Sequence, residues 1–214
     1  MTRSTNDLGF IHQFVPGAEG GDGVCLLLLH GTGGDESSLI PLAGSIAPGA
    51  AVLSPRGRIL ENGMPRFFRR LAEGVFDQDD LRLQTAALAR FIEAASRKYA
   101  IKPERIIAIG YSNGANVASS VMLTRPDLLR AAVLFRPMVP FVPQSSPDLN
   151  GVKALFSAAR RDPIVSQSET GRLVEIFQTA GADVTVHWYR GGHELTEDDI
   201  EAAASWISDW RAAL

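Results

Sequence analysis

The chain has 214 residues, 45% of them hydrophobic and 21% charged, with a formal net charge of −3. That length and composition suit one domain, residues 1–214, able to bury a substantial core. They also exclude several classes: scattered Lys and Arg make no basic field for nucleic acid, no apolar run is long enough to span a membrane, and the single cysteine, Cys25, leaves no internal disulfide.

Met1–Asp7 lacks the apolar stretch of a signal peptide, which makes the cytoplasm the expected location. No Cys/His cluster has metal-ligand spacing, so neither a metal nor a cofactor is expected. Phe10–Val15 reads as an edge strand and Pro16–Gly23 as a turn. Val24–Leu29 is apolar without alternation, the pattern of a strand covered on both faces in a largely parallel sheet. His30-Gly31-Thr32-Gly33-Gly34 ends it, a helix is predicted from about Glu36 to Ile46, and Ala50–Leu53 is the next strand.

Residues 56–79 are the least regular stretch and read as a long loop carrying Phe67, Phe68 and Phe76 among arginines. The spacing of Leu81, Leu83, Leu88, Phe91 and Ile92 predicts an amphipathic helix from Asp79 to Tyr99, broken by Pro103. Ile106–Ile109 is a short buried strand, Gly110-Tyr111-Ser112-Asn113-Gly114 a sharp turn, and Asn113–Met122 a helix. Ala131–Phe135 and Val152–Ala158 follow as strands, separated by a proline-rich excursion from Pro137 to about Asn150. Gln167–Ala180 is a helix, Asp183–Tyr189 a strand, and Gly191-Gly192-His193 a turn. The last helix runs to about Ala213, with Thr196 and Asp199 in a capping-box-like arrangement at its start. The β-α alternation, with no linker or repeat, predicts a single α/β domain with a mostly parallel sheet.

A serine at the apex of a strand–turn–helix is the nucleophile elbow of serine hydrolases. The turn strains the serine backbone so that its hydroxyl projects clear of the sheet, and the flanking glycines remove side chains that would clash. A tight packing turn is the other reading of the same residues. What separates the two is the rest of the chain. His30, Ser112, Asp162 and His193 all fall just past predicted strand ends, where open α/β sheets collect ligand chemistry. Serine needs a base, and of the four histidines only His193 lies in a loop past the last strand. Asp162 is the candidate acid, although Asp162-Pro163 also reads as a turn former. Asp127, Asp148 and Asp183 are worse placed. The order Ser112, Asp162, His193 is that of α/β-hydrolases. Two backbone donors are needed for an oxyanion: the N–H of Asn113, and one from the loop after Val24–Leu29, with Thr32 ahead of Gly33. His30 reads as a structural histidine that fixes this loop.

Leu29-His30-Gly31-Thr32-Gly33-Gly34-Asp35-Glu36, Leu53-Ser54-Pro55-Arg56-Gly57, Pro65-Arg66-Phe67-Phe68-Arg69-Arg70, Gly110-Tyr111-Ser112-Asn113-Gly114-Ala115, Asp162-Pro163-Ile164-Val165 and Gly191-Gly192-His193-Glu194-Leu195 together resemble the bacterial phospholipase/carboxylesterase family. The resemblance covers nearly the whole chain in the family's order, and the Pro-Arg-Phe-Phe stretch is similar to a branch associated with quinone or electrophile stress. It implies an α/β-hydrolase fold with helices on both faces of the sheet and little or no lid. It further implies esterase activity on small carboxylic esters through Ser112, Asp162 and His193, and often a homodimer; thioesters and aromatic esters are candidate substrates beside these. Gly-Tyr-Ser-Asn-Gly departs from the Gly-Phe-Ser-Gln-Gly of the acyl-protein thioesterase branch, which argues against a long acyl chain or a protein substrate.

Phe67 and Phe68 are candidate walls of an acyl or aromatic pocket; packing the long loop onto the domain is the competing reading. Arg66 and Arg136, with Arg56, are candidates to face an anionic substrate group, against a role as solvated or ion-paired arginines. A non-catalytic binding protein on the same fold, and an acyltransferase or perhydrolase using the same three residues, are the alternatives for function.

Overall fold

The computed structural model describes residues 4–214; positions 1–3, part of the N-terminal stretch read above for a signal peptide, lie outside the described residues. In chain order it contains β1 (His12–Val15), β2 (Cys25–Leu29), α1 (Ile40–Ile46), β3 (Ala51–Pro55), β4 (Ile59–Glu61), β5 (Met64–Arg66), β6 (Arg70–Ala72), β7 (Val75–Phe76), α2 (Gln78–Tyr99), β8 (Ile106–Tyr111), α3 (Asn113–Thr124), β9 (Ala131–Phe135), β10 (Lys153–Ala159), α4 (Gln167–Thr179), β11 (Asp183–Tyr189) and α5 (Glu197–Ala212).

The central sheet has seven strands in the order β1-β3-β2-β8-β9-β10-β11. Only β1, at the edge, runs antiparallel, pairing with β3. Strand β2 shows why its sequence has no polar alternation. Cys25, Leu27 and Leu29 pack into the core on one face, while Leu26 and Leu28 pack into the core on the other. Strand β8 divides in the same way, with Ile106 and Ala108 opposed to Ile107 and Ile109. Side chains alternate across a strand, so a sheet buried on both sides requires apolar residues at every position. Helices α2, α3 and α4 cover the first face through Leu88, Val121 and Phe177. Helices α1 and α5 cover the second through Ile46 and Ile207.

Two predicted elements differ. Helix α1 begins at Ile40 rather than near Glu36. Asp35 Oδ1 accepts from the Ser37 amide at 2.8 Å and Ser38 Oγ at 3.1 Å, local bonds that hold the chain in a turn and compete with helix. Residues 56–79 are not an irregular loop. They form two hairpins, β4–β5 and β6–β7. The first closes through Asn62 and Gly63, both at positive φ (52° and 81°), the pairing that a two-residue type I′ turn requires. Helix α2 then starts at an Asp77 cap, whose carboxylate accepts from the Asp80 amide at 3.1 Å. A cap of this kind contributes about 1 kcal/mol.

Candidate active site

The elbow forms at the carboxyl end of β8. Ser112 has φ 52° and ψ −112°, a sparsely populated backbone region for a residue with a side chain. Two hydrogen bonds hold it there: its amide donates to Phe135 O at 2.9 Å, and its carbonyl accepts from the Asn116 amide at 3.0 Å. The flanking glycines are required by close approach. A Cβ on Gly114 would stand 1.9 Å from the Leu29 carbonyl oxygen, and one on Gly110 would stand 2.6 Å from Ala115 Cα. Helix α3 therefore lies directly against the end of β2, and the loop after β2 is brought beside the serine.

Ser112, Asp162 and His193 converge from three strand ends. Ser112 Oγ donates to His193 Nε2 at 2.9 Å, and His193 Nδ1 donates to Asp162 Oδ2 at 2.8 Å. The other carboxylate oxygen of Asp162 accepts from the amides of Ile164 at 2.8 Å and Val165 at 3.0 Å. The turn-forming and histidine-orienting readings of Asp162 thus hold together, one on each oxygen. The Asp162 side chain is 1% exposed and that of His193 17%, so the acid is shielded while the imidazole keeps an opening to solvent.

The loop after β2 is fixed by His30. Its Nε2 accepts from the Gly57 amide at 2.9 Å, so Nδ1 carries the hydrogen and donates to Gly31 O at 2.7 Å. Burial pushes its pKa down and keeps the ring neutral. Among the loop amides, Gly33 N–H is committed to Pro65 O at 3.0 Å and Gly34 N–H to Gly31 O at 3.1 Å. Thr32 N–H has no acceptor within the chain among the described residues. The Asn113 amide lies in the first turn of α3, where helix N–H groups are unpaired by geometry. Thr32 and Asn113, rather than Gly33, are therefore the available donor pair.

The four candidate substrate contacts are all buried within the chain. Phe67 and Phe68 are 2% and 0% exposed. Phe67 packs on His30 at 4.7 Å between ring centres, and Phe68 packs edge-on against Phe76 at 5.0 Å. They anchor the hairpins to the domain, the packing reading. Arg66 is buried too: Nη1 donates to Thr32 Oγ1 at 2.6 Å and Nε lies 3.1 Å from Glu61 Oε2. Arg136 faces no opening, because its guanidinium is fully buried against the Asp199 carboxylate, 2.6 Å from Nη2 to Oδ2. Arg56 pairs with Glu36, with Nη2 2.9 Å from Oε1. Arg56 and Arg136 are held by acids 20 and 63 residues away, a signal that local sequence does not carry, whereas Glu61 reaches Arg66 across its own hairpin.

Burial raises the Cys25 thiol pKa to about 12, leaving it an inert packing group. Among the described residues, no three His, Cys, Asp or Glu side chains gather as a metal site, and no helix is long and apolar enough to cross a membrane. A groove of about 1080 Å³ lies between α2, α3 and residues 139–145, but none of Ser112, Asp162 and His193 lines it. Three residues outside the predicted set hold the site: Tyr111, whose Oη donates to His193 O at 3.1 Å, Tyr189 and Asp199.

Comparison with known proteins places the chain among hydrolases. Residues 65–213 match the model of the dienelactone hydrolase family. The putative hydrolase MhqD of Bacillus subtilis (strain 168) is 44% identical over 184 residues, 86% of this chain and 92% of that protein. A carboxylesterase structure from Bacillus cereus superposes with a TM-score of 0.91 at 43% identity, covering 95% of this chain and 96% of its own. A carboxylesterase from Mesorhizobium loti gives a TM-score of 0.91 at 34% identity, covering 97% and 98%. The carboxylesterase-type α/β-hydrolase resemblance read from the motifs is thus borne out, and the family model that matches is that of dienelactone hydrolase. With an α/β-hydrolase sheet, an elbow serine and relatives of this kind, the chain belongs to the dienelactone hydrolase family and is an esterase-type hydrolase.

Proposed function

We propose that the chain cleaves small carboxylic esters through an acyl-enzyme on Ser112. Ser112 Oγ attacks the carbonyl while His193 Nε2 takes its proton, and Asp162 holds the tautomer and stabilises the imidazolium. The amides of Thr32 and Asn113 stabilise the oxyanion; one such donor is worth about 2.7–4 kcal/mol. His193 then protonates the departing alcohol, and water, activated by the same imidazole, releases the acid. The observation that carries this reading is the continuous pair of hydrogen bonds from Ser112 to His193 to Asp162, at 2.9 and 2.8 Å. Arg66 and Arg136 are engaged by Glu61 and Asp199. The reading therefore favours uncharged esters, aromatic ones and thioesters included, over substrates that need either guanidinium as an anion partner. A cytoplasmic chain that pairs with a second copy completes the reading, and sedimentation equilibrium checks the pairing.

The test is a fluorophosphonate label combined with a panel of p-nitrophenyl and thioesters of increasing acyl length. The expected result is stoichiometric label on Ser112 and turnover highest for short acyl groups. No label on Ser112, or undiminished turnover by Ser112→Ala, overturns the reading.

A further inference from the structure

The dipeptide at the carboxyl end of β9, Phe135-Arg136, touches both the nucleophile and the loop that carries the base. The Phe135 carbonyl accepts the Ser112 amide at 2.9 Å. Arg136, the next residue, lies at φ 55°, a left-handed conformation that strains a residue with a Cβ. Its own amide donates to Ser157 O at 2.9 Å, which ties it to β10. The side chain runs beneath the loop past β11. Nε donates to Gly192 O at 3.3 Å and Nη2 to Glu194 O at 2.7 Å, the carbonyls on either side of His193.

Further contacts complete the support. Tyr189 Oη lies 2.6 Å from Gly192 O and 2.9 Å from Glu194 O, sharing one hydrogen between the same two carbonyls. The guanidinium lies over the Tyr189 ring, 4.3 Å from its centre. Asp199 binds the guanidinium at 2.9 and 2.6 Å, accepts from Ser157 Oγ, and accepts the Thr196 amide at 2.9 Å at the start of α5. The loop is thus clamped at its carbonyls from below and at its helical end by the same ion pair. No contact in this network reaches the reacting atoms.

We propose that Arg136, supported by Tyr189, is a positioning residue that sets the Ser112–His193 contact. Nucleophile and base are registered to one strand end, so motion of the His193 loop relative to Ser112 is resisted by a planar fork that grips both flanking carbonyls at once. An ammonium is a single point and cannot span them. The proposal rests on the Ser112–His193 reading above.

The experiment compares Arg136→Met, Arg136→Lys, Tyr189→Phe and His193→Ala. It measures kcat per fluorophosphonate-titrated Ser112, KM, melting temperature, and the far-downfield proton resonance of His193 Nδ1–H. Arg136→Met is expected to lower kcat about 100-fold with KM within about twofold, the size of effect produced by displacing a catalytic group by about 1 Å. Arg136→Lys is expected to recover about tenfold of that loss. Tyr189→Phe keeps the ring under the guanidinium and removes one hydroxyl, so it decides the matter if Arg136→Met does not fold. Its expected signature is about a tenfold loss in kcat with a shifted or broadened Nδ1–H resonance. A lowered melting temperature with unchanged kcat and resonance in Tyr189→Phe and Arg136→Lys overturns the proposal. Full activity in His193→Ala would instead remove the reading on which it rests.

Discussion

The two sides of Ser112 are built differently. On the base side, Asp162 and His193 lie in the loops just past β10 and β11, and a fully buried ion pair, Arg136–Asp199, underlies the His193 loop. On the oxyanion side, the Thr32 loop is held from outside the sheet. Hairpin β4–β5 supplies Pro65 O to Gly33 and Arg66 to Thr32, and the residue that follows it, Phe67, donates its amide to Asn113 Oδ1 at 2.7 Å. Arg66 and Phe67, adjacent in the chain, therefore reach the residues of both candidate oxyanion donors. The hairpins are open beyond them: Asn62 and Gly63 at the first turn are exposed, and Leu60 in β4 and Leu71 in β6 are each 71% exposed. The difference teaches where rigidity comes from. The base side inherits it from the sheet, whereas the oxyanion side borrows it from an added element gripped at its root and free at its tip.

Asp162→Asn breaks the base side at its sharpest point. An amide cannot hold the working histidine tautomer, so kcat is expected to fall about 10⁴-fold with the fold intact, while Asp148→Asn leaves it unchanged. Equal effects in steady-state kinetics would move the acid away from Asp162. Asp199→Asn tests the buried pair beneath. It leaves the Arg136 charge uncompensated and is expected to cost about 3–5 kcal/mol in urea unfolding at pH 7.

The pH dependence of that loss follows from Asp199. Burial works against its charge, but hydrogen bonds from Arg136, Ser157 and Thr196 outweigh it and hold the carboxyl below its ordinary value. A lowered folded value means that the stabilisation is complete above about pH 4, where the unfolded carboxyl is ionised, and drains away as pH falls through the folded value. The gap between wild type and Asp199→Asn should therefore close on acidification; a constant gap between pH 7 and 3 would show that charge is not its source.

Thr32→Val sharpens the oxyanion side. It keeps the backbone N–H but removes the oxygen that accepts from Arg66, leaving a buried donor unsatisfied at about 1–3 kcal/mol. A lowered kcat with steady KM, and weaker inhibition by a boronic acid, is the expected result; unchanged kinetics would mean that the hairpin does not set the donor. The smallest effects belong to the exposed side chains of the hairpin strands. Leu60→Ser and Leu71→Ser should stay within about 0.5 kcal/mol of wild type in thermal unfolding, and a larger loss would show that these side chains are packed rather than free.

The base side was legible because each of its parts is marked locally. An apolar strand, Gly-x-Ser-x-Gly and a helix made the elbow; Asp162 and His193 each follow a strand; and Thr196 with Asp199 made the capping box that the structure contains. The hairpin side carries one local signal. Asn62-Gly63 between short β-compatible runs is a type I′ turn signature, but the strands it joins are only three residues long, too short to show an alternating pattern. The surroundings of Arg66, Arg136, Phe67 and Phe68 were not legible for another reason. Position on a loop or past a strand end does not report burial, and each of these residues is buried by partners that the fold supplies, such as Asp199, 63 residues from Arg136.

By itself, then, the sequence determined the element order and the edge of the sheet at which the chemistry gathers. Parallel β-α units carry every strand's carboxyl end to one side, so residues just past those ends meet whatever the details of packing. Only the tertiary structure decided which cation serves which acid, that one oxygen of Asp162 turns the chain while the other orients His193, and that Arg136 lies under the base loop rather than before a substrate. Those outcomes depend on burial and on partners from distant segments. Local propensity and periodicity describe a residue's own element, not the surface that closes over it.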